Sequence, residues 1–188
     1  MLLIGAIAAL RRIMTAYTIA DMDTAPFRIC AREERAAKPR GIDSPEGLGD
    51  RLRTAAFAEL QAIHAFSWAA ARFVDAPAGL REAWLSQVAD EQRHYALIIE
   101  RMNDLGVDPG EKPVSNRLWL SLETCDDARD FCLKIAASEE RGRLAGEKMA
   151  EYLAVRDPVT ASVFRRIVDD EVGHVALAER FYGWRPGQ

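Results

Sequence analysis

Four long stretches of the chain place apolar residues at alternating steps of three and four, the spacing that lines one face of an α-helix. The first runs from about Asp50 to Val74, with Leu52, Ala56, Ile63, Phe66, Ala70 and Phe73 in line. The second, about Pro77 to Leu105, aligns Trp84, Val88, Tyr95, Ile98, Met102 and Leu105. The third, about Asp126 to Val155, aligns Cys132, Ile135, Gly142, Gly146 and Met149. The fourth, from Pro158 to about Tyr182, aligns Phe164, Ile167, His174, Ala178 and Phe181. The punctuation agrees with these limits. "DAP" at 75–77 ends the first helix and sets Pro77 near the start of the second, and Gly106 stops the second. "RDPV" makes Asp157 an N-cap and Pro158 the first helical residue. Between Gly106 and Cys125 lies a longer connection with Pro109, Gly110, Pro113 and a short apolar turn, "NRLWLSL", whose Trp119 reads as a core plug. No strand pattern competes. The fold class expected is all-α: a four-helix bundle with one long crossover between its second and third helices.

The first 48 residues read differently. Met1 to Leu10 is an apolar run followed, not preceded, by Arg11 and Arg12. That order suits a short amphipathic helix better than a signal peptide, and the run is too short to span a bilayer. A start at Met14 or Met22 is an alternative. From Asp21 to Gly49 the chain is broken by three prolines and three glycines, so an arm laid on the surface is expected. The division is thus residues 1–48, helix and arm, and residues 49–188, the bundle.

Composition narrows the partners. Charged residues make up 29% of the chain and its formal net charge is -4, so nothing global points to nucleic acid. Residues 1–53 nevertheless hold nine Lys/Arg against seven Asp/Glu, a mildly basic segment. The three cysteines are odd in number and form no Cys-x-x-Cys, which suits inert thiols in a reducing cytoplasm, with no membrane association.

The helical lines carry an anomaly. Each is interrupted, at a position that should be core, by one glutamate: Glu59, Glu91, Glu139 and Glu171. A bare buried carboxylate costs several kcal/mol or stays protonated. Two like charges about 4 Å apart at an effective dielectric of about 20 repel by about 4 kcal/mol. Four glutamates pointing into one bundle therefore call for cations. Glu91-x-x-His94 and Glu171-x-x-His174 put a carboxylate and an imidazole on one helical face. Glu59 precedes Glu91 by 32 residues, and Glu139 precedes Glu171 by the same 32. The chain thus reads as two helical hairpins, each with half of a metal site. Two divalent ions neutralise the four carboxylates, and mixed carboxylate and imidazole donors suit Fe(II) or Mn(II), or a mixed pair, better than structural zinc.

Around the six ligands the sequence leaves several roles open. Asp90 and Asp170 precede the ligating glutamates; the expectation is that each accepts the free N–H of a ligand histidine on the facing helix, with a solvated position as the alternative. Arg93 either pairs with an acid or sits on the rim. Glu140 adjoins Glu139 but lies in phase with a more polar line, so Glu139 is taken as the ligand. His64 is off the face of Glu59, either at the edge of the site or simply packed. Tyr95 is either a hydrogen-bonding or redox residue or core. Gly142 and Gly146 signal either a cavity beside the ions or a close helix crossing.

In these motifs the chain resembles the ferritin-like di-iron carboxylate superfamily. "DEQRH" at 90–94 is similar to the D-E-x-R-H form of its monooxygenases. A closer resemblance is to a bacterial ferritin-like family with "ELQAI" on the first helix, "VADE…H" on the second and "RDEIGHV" on the fourth, which here read Glu59–Ile63, Val88–His94 and "DDEVGHV" at 169–175. It covers about residues 40–184. Departures fall around the ligands: His64 stands where that family has an acid, Phe57 where it has a histidine, and Gly142 and Arg143 where monooxygenases often have a threonine. The resemblance implies two Fe ions, dioxygen, an organic substrate and an electron-donor protein, hence an oxidase or hydroxylase. It leaves a homodimer and, given the basic arm, a tRNA substrate open. A ferroxidase or storage protein and a metal-dependent structural bundle are the alternatives.

Overall fold

The computed structural model describes residues 22–31 and 33–187. The short helix expected over Met1–Leu10 lies outside the described residues. The structure is all-α: α1 (Pro45–Arg72), α2 (Leu80–Asp104), the short α3 (Arg117–Leu122), α4 (Ala128–Leu153) and α5 (Pro158–Tyr182). Among the described residues the only strand-like pairing is an isolated bridge between Ile29 and Val114.

Local chemistry corrects the limits read from periodicity. α1 begins at Pro45, so a division at residue 48 would cut the helix. The Ser44 side chain accepts the Gly47 N–H at 3.0 Å and Pro45 takes the first turn, a start signal lying upstream of the first apolar residue. α2 starts at Leu80 rather than Pro77, because Gly79 at φ 82 turns the chain just before it. α4 is capped by Asp127 through the Asp130 N–H, and α5 by Asp157 through the Thr160 N–H. The "NRLWLSL" turn is a helix of six residues, and Trp119 is wholly buried within the core.

α1 pairs with α2 along its length, and α4 pairs with α5. The two pairs meet mainly through α2 and α5, whereas α1 and α4 barely touch. Each long helix serves two apolar clusters. One gathers Phe66, Trp68, Phe73, Trp84, Trp119 and Phe131, with Trp84 and Phe131 edge to face at 5.2 Å. The other gathers Leu52, Phe57, Ile98, Met102, Phe164 and Ile167. On α2, α4 and α5 the glutamate of the expected site falls between the residues given to one cluster and those given to the other, and on α1 Glu59 sits beside Leu60 at the inner end of the second cluster.

The segment before α1 crosses α1 and α2. It buries Met22, Phe27 and Cys30, with Phe27 against Phe57 and Tyr95. Cys30 N–H donates to the Val114 carbonyl and Val114 N–H to that of Arg28, which joins it to the crossover. Arg40 then clamps Asp50 through its main-chain N–H, Nε and Nη2, while Arg53 and Lys112 reach the same carboxylate.

Candidate metal centre

Glu59 projects from α1, Glu91 and His94 from α2, Glu139 from α4, and Glu171 and His174 from α5. Their donor atoms form two overlapping groups. Glu59, Glu91, His94 and Glu171 bring one donor each within 4.8 Å of one another, and so do Glu91, Glu139, Glu171 and His174. Glu91 and Glu171 belong to both. The arrangement therefore has an approximate twofold relation: each group takes a Glu-x-x-His pair from one hairpin, that hairpin's other glutamate, and one glutamate from the opposite hairpin.

Burial makes the cluster costly as it stands. Glu91 is 0% exposed and His94 is 1% exposed. His174 Nδ1 lies 2.9 Å from Glu91 Oε1 and 3.3 Å from Glu171 Oε2, and His94 Nδ1 lies 3.5 Å from both Glu91 Oε2 and Glu171 Oε1. Yet both oxygens of Glu91, Oε2 of Glu171 and Nδ1 of both histidines lack an aligned hydrogen bond. Buried polar atoms are normally satisfied. Five inward-facing donors left without one fit a cation held among them.

The outward nitrogens are engaged, and they cross between hairpins. His94 Nε2 on α2 lies 3.1 Å from Asp170 on α5, and His174 Nε2 on α5 lies 3.4 Å from Asp90 on α2. With Nε2–H donating to a carboxylate, a neutral imidazole would keep its Nδ1 lone pair aimed inward. Arg93 bridges the two aspartates, 2.6 Å from Asp90 and 3.3 Å from Asp170. The Asp90–Arg93–Asp170 chain covers the α2–α5 side.

Electrostatics divides the six side chains. Burial, with Glu91 nearby, raises Glu59 well above the ordinary carboxylate range, and burial with Glu171, Glu91 and Glu59 does the same to Glu139. Burial also opposes ionisation of Glu91 and Glu171, but the facing imidazoles win. Glu91 falls to about 2 and Glu171 is lowered. Conversely, burial works against charged histidines, yet Glu171 and its neighbours raise His94 strongly and bring His174 to about 10. Without metal, the cluster thus favours charged imidazoles facing ionised Glu91 and Glu171, and pushes Glu59 and Glu139 towards their protonated forms.

The opposite, α1–α4 side is open. A cavity of about 670 Å³ lies where these helices diverge, and Glu59, Glu139 and Glu171 form its inner end. Ala55, Ala58 and Ala62 on one wall oppose Gly142, Ala145 and Gly146 on the other, and Pro39 and Ile42 of the arm line its mouth. The two glycines divide the roles the sequence left open. A Cβ on Gly142 would meet nothing within 4 Å, so it borders open space; one on Gly146 would lie 2.8 Å from Val168 Cγ2, so it marks a close crossing.

His64 and Tyr95 stand outside both donor groups. His64 is half-buried, and burial lowers its pKa while Asp23 opposes this. Tyr95 is half-buried against Phe27. Glu140 is taken by Arg143 in two hydrogen bonds, which leaves Glu139 as the inward acid. Sequence reasoning passed over Arg51, Lys148 and Tyr152, which line the cavity. The facing stripes of small residues are the signal that could have found that gap.

No helix among the described residues is long and apolar enough to cross a membrane. A model of the family described as "Protein of unknown function (DUF455)" matches residues 9–188. Among curated proteins, none matches the chain.

Proposed function

The chain belongs to the DUF455 family, and from its buried Glu/His centre we propose a ferritin-like four-helix protein that holds two metal ions and acts as an oxidase or hydroxylase. The carrying observation is the pair of overlapping donor groups that share Glu91 and Glu171 and keep unsatisfied atoms turned inward. Two Fe ions fit the donor set, with Mn or a mixed Fe/Mn pair suited to the same oxygens and imidazoles. Glu59, Glu91, His94 and Glu171 would hold one ion, and Glu91, Glu139, Glu171 and His174 the other. When bound, Fe(II) supplies the electrons with which dioxygen is reduced.

The residues do the rest. Asp170 and Asp90 fix the tautomer and direction of His94 and His174. Glu91 and Glu171 carry charge into a site from which apolar clusters on both sides exclude water. The cavity against Glu59 and Glu139 gives an organic substrate access. That cavity favours a small-molecule reaction over iron storage, for which a ligand-sized apolar slot has no use.

Anaerobic Fe(II) loading followed by elemental analysis and native mass tests the reading. Two ions per chain on a monomer or dimer, with oxygen consumed on exposure to air, are expected. Glu139→Gln should lose at least one ion and Glu140→Gln none. No retained transition metal would sink the proposal, and a cage of 12 or 24 chains would transfer the centre to iron storage.

A further inference from the structure

The cavity between α1 and α4 changes chemistry along its length. Its inner end is the carboxylate centre, and its walls are alanine, glycine, Met149, Phe164 and Ile167. Arg51, Arg141 and Lys148 also line it. At a rise of about 1.5 Å per residue, Arg51 lies about 12 Å along α1 from Glu59, and Lys148 about 13 Å along α4 from Glu139. Tyr152, one turn beyond Lys148, lines the same cavity as Arg51.

Some of the basic side chains in the structure are committed to acids, and these three are not. Arg40, Arg53, Arg93, Arg101, Lys134 and Arg143 all lie within ion-pair distance of acids. Arg51 donates Nη1 to the carbonyls of Arg40 and Gly47 at 2.7 and 2.8 Å, and no ion pair is found for it among the described residues. Arg141 and Lys148, both exposed, have no ion pair among the described residues. Three cations without counter-charges thus border an apolar slot whose floor is acidic. A ligand charged throughout would lose its hydration against the apolar walls, and a wholly apolar one would leave the cations unused.

We propose that this slot takes an amphipathic organic anion, its carboxylate or phosphate head at Arg51 and Lys148, with Arg141 at the rim, and its apolar body running inward to Glu59 and Glu139. The volume is that of a small-molecule site. As a statement about substrate it rests on the dinuclear reading; as a statement about binding it does not need the ions. It has one directional consequence: the apolar end of the ligand, not its head, meets the centre.

Calorimetric titration of the full chain, metal-free and Fe(II)-loaded under argon, with decanoate, decyl phosphate and decanol tests this. At least one anion should bind tenfold or more tighter than decanol, and the preferred anion identifies the head. Arg141→Glu with Lys148→Glu should weaken that anion at least tenfold and leave decanol unchanged. Gly142→Phe should exclude all three ligands while helical content and unfolding temperature stay near wild type. Equal binding of decanol and both anions, no binding of any, or indifference to the charge reversals would overturn the proposal. Ion content is measured on the same samples. Two ions without anion binding would sink the slot assignment alone, and anion binding without ions would sink the dinuclear reading alone.

Discussion

A carboxylate deprived of water must find a proton, a donor or a cation, and the six side chains at the centre show the first two solutions at once. Glu91 and Glu171 are held towards the charged form by facing His94 and His174; Glu59 and Glu139 are pushed towards the protonated form by burial and the neighbouring acids. Two divalent ions in their place would need all four carboxylates ionised and both imidazoles neutral. Ion entry should therefore release protons, because Glu59 and Glu139 are pushed towards the protonated form and both imidazoles towards the charged one. Calorimetry at pH 7 in buffers of different ionisation heat should return a net proton release, and a count near zero would remove these residues from metal binding. The sign with pH follows. His174 stays protonated up to about 10, so affinity should strengthen as pH rises towards that value. The four glutamates are legible in the sequence because each interrupts an apolar line. The protonation pattern is not, since it depends on which imidazole each acid faces across the helices.

Helix by helix, the fold is readable where periodicity and caps reinforce each other, as at Asp157 and Pro158. It is misread where the cap precedes the apolar line, as at Ser44, or where a left-handed glycine intervenes, as at Gly79. The parting of α1 from α4 was not legible, because a stripe of small residues allows either a tight crossing or a gap. α4 holds both outcomes four residues apart. Gly142→Ala should stabilise by up to about 1 kcal/mol through helix propensity, as nothing opposes the new methyl. Gly146→Ala forces its methyl onto the stiff Val168 side chain and should destabilise by about 1–3 kcal/mol before the propensity gain is counted. Urea unfolding of the two variants checks this, and equal shifts would refute the assignment of Gly146 as the crossing point.

At the level of the whole molecule, a segment without periodicity holds the parts together, which is why its path could not be read in advance. Asp50, 6% exposed, receives Arg40 from the arm, Arg53 from its own helix and Lys112 from the crossover. Arg40, aided by Lys112, holds its pKa far below the ordinary value against the effect of burial. The depressed folded value means the stabilisation is complete above the unfolded pKa of about 3.9 and is lost as pH falls below it. Asp50→Asn should therefore flatten the acid limb of the stability profile below about pH 4, and Asp50→Ala should cost about 3 kcal/mol at pH 7. Urea midpoints at several pH values measure both, and an unchanged acid slope in Asp50→Asn would contradict the network's role. The crossed His94–Asp170 and His174–Asp90 pairs have a wider consequence. Neither hairpin owns a complete, correctly oriented set of donors. The centre is a logical conjunction of two halves, so any ion uptake would report their docking, and a nascent or partly unfolded chain with only one half in place would offer three of the six donors without the aspartate that orients its histidine.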